Sequence, residues 1–170
     1  PKTNKTKTII RNLKFANGVC VTKDCQSILF AETFGMKVSR YWFEGPKKGT
    51  TEVIMDNIPG YPDNINRASD GNYWLALVGM RGPALDLALT LPDFRKRMSR
   101  RINTSNWLFP NINTGCVIKI TENGEVLESL WDLKARNHPM VTSMKEHKGH
   151  LYLGGICLLY TSPSPRDKSS

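Results

Sequence analysis

Histidine is scarce, with three residues in 170. Cysteine is little more abundant at four, and no two form a CxxC pair or stand at zinc-ligand spacing from a histidine pair. A structural zinc site is therefore not expected. Cys20, Cys25, Cys116 and Cys157 allow three disulfide pairings, and free thiols buried in strands are equally open. No apolar run approaches the ~20 residues of a membrane-spanning helix, so no part of this sequence is expected to cross a bilayer that way. Acidic residues are in the minority, 15 against 24 Lys and Arg, which leaves a net charge of +9. The positives gather at Lys2–Lys14, at Arg95–Arg101 and in the tail. Neither an aromatic RNA-binding segment nor a zinc-finger spacing accompanies them, so nucleic acid is not an expected partner. The 39% hydrophobic and 23% charged residues are those of a globular chain, not a disordered one.

What is present is β-structure. Ile118–Glu128 reads as strand, Asn123-Gly124 turn and strand. An Asn-Gly pair tolerates positive φ at both central positions, as a type I′ hairpin requires. Lys37–Phe43 and Thr51–Asp56 are two more strand candidates, joined by Glu44–Gly49. Ser27–Thr33, Tyr73–Gly79 and His150–Gly154 are short apolar runs, the pattern of strands buried on both faces.

Three segments then repeat one plan. Ala16–Thr33, Pro62–Gly79 and Met140–Gly154 each have a polar entry, a short strand, a tight polar turn and a buried strand. The first two recur at roughly 45 residues, the period of a four-stranded propeller blade. One blade runs from Asn17 through Ser27–Thr33 and Lys37–Phe43 to Thr51–Asp56. The next runs from Asn64 through Tyr73–Gly79 and Cys116–Thr121 to Glu125–Trp131. A partial blade follows at Val141, and Thr8–Asn12 is expected to be the outer strand of a preceding one. The fold class is thus all-β: a partial propeller of two complete four-stranded blades plus remnants, with a helical insertion. Closed propellers take about four to eight blades, so this chain is expected to be part of a larger protein.

The insertion covers 81–113. Ala84–Leu91 and Phe94–Ile102 read as one or two helices on the rim. The plain reading is a cap with solvated charges. The functional readings are a substrate lid or a basic amphipathic element touching anionic lipid. Residues 1–156 are assigned to the propeller. The Pro/Ser-rich run 157–170 is expected to be a non-native or disordered tail and is set aside.

Phe15–Val19, Ala31–Thr33, Pro59–Ile65, Tyr73-Trp74 and His147–Gly154 together resemble the strictosidine-synthase-like family. The likeness spans about 7–155. It implies a six-bladed propeller, of which this is most of the C-terminal half. The family is related to paraoxonases, which bind calcium on the propeller axis through an Asn-Gly and an Asp-Asn pair at inner-strand entries. The matching positions are Asn17-Gly18 and Asp63-Asn64. The resemblance therefore implies Asn17, Asp63 and Asn64 as calcium ligands. Calcium takes about six to eight oxygens from carboxylates, amides and water, which suits these residue types. The alternative is that both pairs only shape turns.

True strictosidine synthase carries a Glu four residues before the Glu-His of its last-blade turn. Here that Glu-His is Glu146-His147, and Thr142 stands in the earlier place. A hydroxyl cannot do a carboxylate's proton transfer near neutral pH. His138, His147 and His150 do not match the paraoxonase catalytic histidines, and His147 and His150 read as solvated turn residues. Two functions remain. One is a calcium-dependent esterase of arylesterase type, acting on a small ester or lactone, with its general base outside this chain. The other is a non-catalytic binding propeller. Some family members carry an N-terminal membrane anchor, absent from this fragment, and a lumenal or extracellular propeller. The sequons at Asn4 and Asn103 would then mark a glycoprotein.

Overall fold

The computed structural model describes residues 5–106 and 111–156. Ten strands form two four-stranded antiparallel sheets and one two-stranded sheet. The first sheet has β1 (Ala16–Val21), β2 (Ser27–Glu32), β3 (Lys37–Trp42) and β4 (Thr51–Met55) in that spatial order. The second has β5 (Gly60–Arg67), β6 (Tyr73–Met80), β7 (Gly115–Ile120) and β8 (Val126–Asp132). β9 (Val141–His147) pairs with β10 (His150–Gly155) to begin a third. Within each sheet every strand neighbours its successor, the meander of a propeller blade.

The strand period of two explains how the blades stack. On β6, Tyr73, Leu75 and Leu77 join Leu29, Ala31, Val38 and Ile65 in the core between the first two blades. The alternate residues Trp74 and Ala76 join Val117, Val141 and Met144 in the core on the other side. One continuous apolar run thus serves two interblade cores, as its composition requires. By contrast Val126, Leu127, Leu130 and Trp131 on the outermost strand β8 are exposed.

Two local expectations change. Thr8–Asn12 is not a strand, because the described chain offers it no sheet to pair with. Ile9, Ile10 and Leu13 instead line an apolar hollow over the first blade with Val19, Ile28, Phe30 and Tyr41. The Asn123-Gly124 turn is not type I′ either, since only Gly124 has positive φ, at 88°. Gly124 N–H donates to the Thr121 carbonyl at 3.0 Å, and the register slips between Lys119 and Ile120. That is the longer hairpin loop closed by a glycine bulge. The two-residue turn with both φ positive is at Lys148-Gly149, at 49° and 74°.

The insertion holds two helices, α1 (Pro83–Thr90) and α2 (Pro92–Arg101), each opening on proline in its first turn. Cys20, Cys25 and Cys116 are free thiols, whereas Cys157, Asn4 and the 157–170 tail lie outside the described residues.

Gly18 decides how closely the inner strands approach. A Cβ there would stand 2.5 Å from the Asn64 Cα and 2.6 Å from the Ile65 N, and against the Asp63 carbonyl oxygen. All three are backbone atoms and cannot swing aside. Gly18→Ala is expected to destabilise the chain by about 2 kcal/mol or more in denaturant unfolding, the range of core overpacking. Gly49→Ala, in an open exposed turn, should cost only its positive-φ strain of about 1 kcal/mol.

Candidate functional site

The inner strands β1, β5 and β9 lie side by side, and their polar residues meet at the start of β1 and the middle of β5. Asn17 stands at the second position of β1, and Asp63 and Asn64 stand on β5. The close packing over Gly18 brings Asn17 beside Asp63, near enough for its side chain to favour the charged carboxylate. Asn17 Nδ2 also donates to Thr33 Oγ1 at 3.2 Å, and Thr33 Oγ1 donates to the Pro62 carbonyl at 2.7 Å. Asn64 Nδ2 donates to Asp63 Oδ1 at 3.2 Å and to the Thr142 carbonyl of β9 at 2.8 Å. One polar chain therefore links three successive blades.

Asp63 is only 8% exposed. Burial pushes its carboxyl above the ordinary value of 3.8, and the Asn17 side chain offsets part of the rise. The cluster contains no Lys or Arg ion pair for it among the described residues. The amide nitrogens of Asn17 and Asn64 are held by protein acceptors, which orients both groups. Two amides and a carboxylate are hard oxygen donors, the class calcium takes. Among the described residues no three His, Cys, Asp or Glu side chains cluster. The donor chemistry fits a hard cation as a partial shell, one that needs further oxygens to reach about six to eight.

Thr33 and the Thr142 carbonyl belong to this network and were not singled out as site residues. Thr33 had only its place in the Ala31–Thr33 motif as a signal, and a backbone carbonyl leaves none. The histidines stay apart: His147 and His150 are exposed on either side of the Lys148-Gly149 turn, and His138 is exposed in the loop before β9. Glu146 is an interblade staple. It accepts the Trp74 Nε1–H at 2.9 Å and the Ser69 N–H at 3.2 Å, and the Ser69 hydroxyl also bonds to it. The Ser69 and Trp74 side chains hold its carboxyl below its ordinary 4.5.

The sequence profile described as strictosidine synthase matches residues 1–46. Protein strictosidine synthase-like 10 of Arabidopsis thaliana is 35% identical, over 89% of this chain and 41% of its own length. The adipocyte plasma membrane-associated protein of Salmo salar is 32% identical, over 91% of this chain and 38% of its own. The chain is similar to the strictosidine-synthase-like family over most of its length. It spans 41% and 38% of those two relatives. A solved luciferin-regenerating enzyme has the same fold over 86% of this chain and 39% of its own, with a TM-score of 0.55 and 18% identity. The fold is that of the family's six-bladed propeller, of which this strictosidine-synthase-like chain contains two whole blades and the start of a third.

Two outcomes follow from the charges. The folded chain disfavours the ionised Asp63, so its contribution turns unfavourable as pH rises from 3.8 through the higher folded value. Asp63→Asn is expected to raise the unfolding midpoint near neutral pH in a cation-free buffer; an unchanged or lowered midpoint would contradict the assigned burial cost. Glu146 acts in the opposite sense. Its stabilisation is complete above 4.5 and is lost as pH falls through its lower folded value. Glu146→Gln is expected to flatten the acid side of a stability–pH profile.

Proposed function

We propose that Asn17, Asp63 and Asn64 hold a calcium ion on the propeller axis. The longer protein is then a calcium-dependent esterase or lactonase of arylesterase type. One observation carries this reading: a nearly buried carboxylate flanked by two oriented amides, on the inner strands of adjacent blades. Calcium bound there would polarise an ester carbonyl and stabilise the oxyanion. The work of this chain is positioning. Asp63 supplies the negative charge, and its burial keeps water from competing for the cation. The Thr33 hydroxyl and the Thr142 carbonyl, by engaging the amide nitrogens, turn the amide oxygens of Asn17 and Asn64 away from those contacts. The general base and the remaining oxygen ligands come from the part of the protein beyond this chain. The substrate is a small ester or lactone.

Strictosidine synthesis fits this chain poorly. The Thr142 hydroxyl donates to the Gly154 carbonyl at 3.3 Å. It is a neutral group used within the sheet, at the position where the synthase carries a carboxylate. A second reading, a non-catalytic binding propeller on a membrane anchor, draws support from the single carboxylate of the cluster. The name of the adipocyte plasma membrane-associated relatives points to a membrane location; on this second reading we propose a lumenal or extracellular propeller with Asn103 glycosylated.

The test is phenyl acetate hydrolysis by the full-length protein, with and without a calcium chelator, beside Asp63→Ala. Chelation and the substitution are each expected to lower kcat/KM by about 100-fold or more, the scale of losing an oxyanion stabiliser. Chelator-resistant hydrolysis would remove calcium from the account. No hydrolysis by a folded, calcium-replete protein would move it to the binding propeller.

A further inference from the structure

The helical insertion does little for the core. Of α1, only Ala88 is buried, and no residue of α2 is. Asp86 of α1 fastens the pair to the propeller. It accepts Arg81 Nε–H at 2.9 Å and the Tyr61 hydroxyl at 3.5 Å. Tyr61 lies on β5, two residues before Asp63, so the pair is fixed near the entry end of that strand. Arg95 closes the two helices on each other through the Ala88 carbonyl at 3.0 Å.

The outer surface of the pair combines two features. Leu87, Leu91 and Phe94 are 62%, 45% and 43% exposed. Beside them α2 carries Arg95, Lys96, Arg97, Arg100 and Arg101 against a single acid, Asp93. Lys96 reaches Asp93 at 3.8 Å, whereas Arg97, Arg100 and Arg101 form no ion pair among the described residues. Three large apolar side chains in water are a cost that solvation of the arginines does not remove. A polyanion such as RNA would answer the charge and leave the leucines and phenylalanine wet. An anionic bilayer answers both, with headgroups for the arginines and the acyl boundary for the apolar residues.

We propose that α2 and the neighbouring residues Leu87 and Leu91 dock on an anionic phospholipid surface. This contact is separate from any N-terminal anchor and does not depend on the calcium reading. It would hold the start of β5, where Tyr61 meets Asp86, towards the bilayer.

The test is cosedimentation of the full chain with sucrose-loaded vesicles, in chelator so that calcium cannot bridge protein to lipid. Phosphatidylcholine vesicles are compared with vesicles holding about 30 mol% phosphatidylserine. Partitioning to the anionic vesicles is expected to exceed the neutral ones by roughly tenfold or more. The combined Arg97→Gln, Arg100→Gln and Arg101→Gln variant should bring it to the neutral level. Leu91→Ser with Phe94→Ser should weaken it at unchanged charge. All five positions are exposed, so each variant is expected to keep the wild-type unfolding midpoint. Equal partitioning to both vesicle types, wild-type binding by the arginine variant, or binding to RNA without binding to vesicles would each overturn the proposal.

Discussion

Gly18 has no side chain, and the backbone of the next blade occupies the space where one would stand. This close approach is the constraint on which the rest depends. At Gly18 the backbones of β1 and β5 approach so closely that no side chain fits between them. Because Gly18 lets β1 settle against Asp63–Ile65, its neighbour Asn17 meets the Asp63 carboxylate. The same approach lets Thr33 reach the Pro62 carbonyl. A strand displaced by one methyl group would separate both pairs.

Away from the axis the blades are joined differently, by apolar cores pinned with polar side chains. Arg40 of β3 is nearly buried between Glu52 at 3.5 Å and Glu122 at 3.4 Å, and it also bonds the Glu122 carbonyl. Glu122 accepts the Tyr73 hydroxyl at 3.0 Å; burial first, and then this bond, push Tyr73 up to about 12. Glu146 performs the matching task between the second and third blades. These are charge-assisted bonds, stronger than neutral ones, placed where a sliding interface needs a fixed register. The inner-strand cluster is the exception: Asp63 is buried with amides and no cationic side chain among the described residues. It is where the polar bookkeeping of the chain is left open.

The strands were legible because their causes are local. Alternation, β-branched runs and Gly or Asn turns mark β2, β3, β6 and β7 to within a residue or two of their ends. The blade period was legible because it repeats. Thr8–Asn12 has a strand's composition and no partner, and a strand exists only when paired. Asn123-Gly124 carries the strong local preference for a type I′ turn. The blade placed it at Lys148-Gly149, where a two-residue connection between β9 and β10 is imposed from outside. Arg40, Thr33 and Glu146 stayed hidden for the same reason. Their partners lie 82, 29 and 72 residues away, and single-sequence pattern carries nothing over that separation. Asn17, Asp63 and Asn64 stand out only through the family resemblance, and the packing that sets Asn17 near Asp63 follows from no spacing rule.

The cation site we propose rests on the close inner-strand approach at Gly18. The most direct measurement is a crystal structure of the full-length protein grown with calcium. The account predicts an ion at about 2.3–2.6 Å from an Asp63 carboxylate oxygen and from the amide oxygens of Asn17 and Asn64. An Asp63 carboxylate bonded only to protein groups and water in calcium-saturated crystals would contradict it.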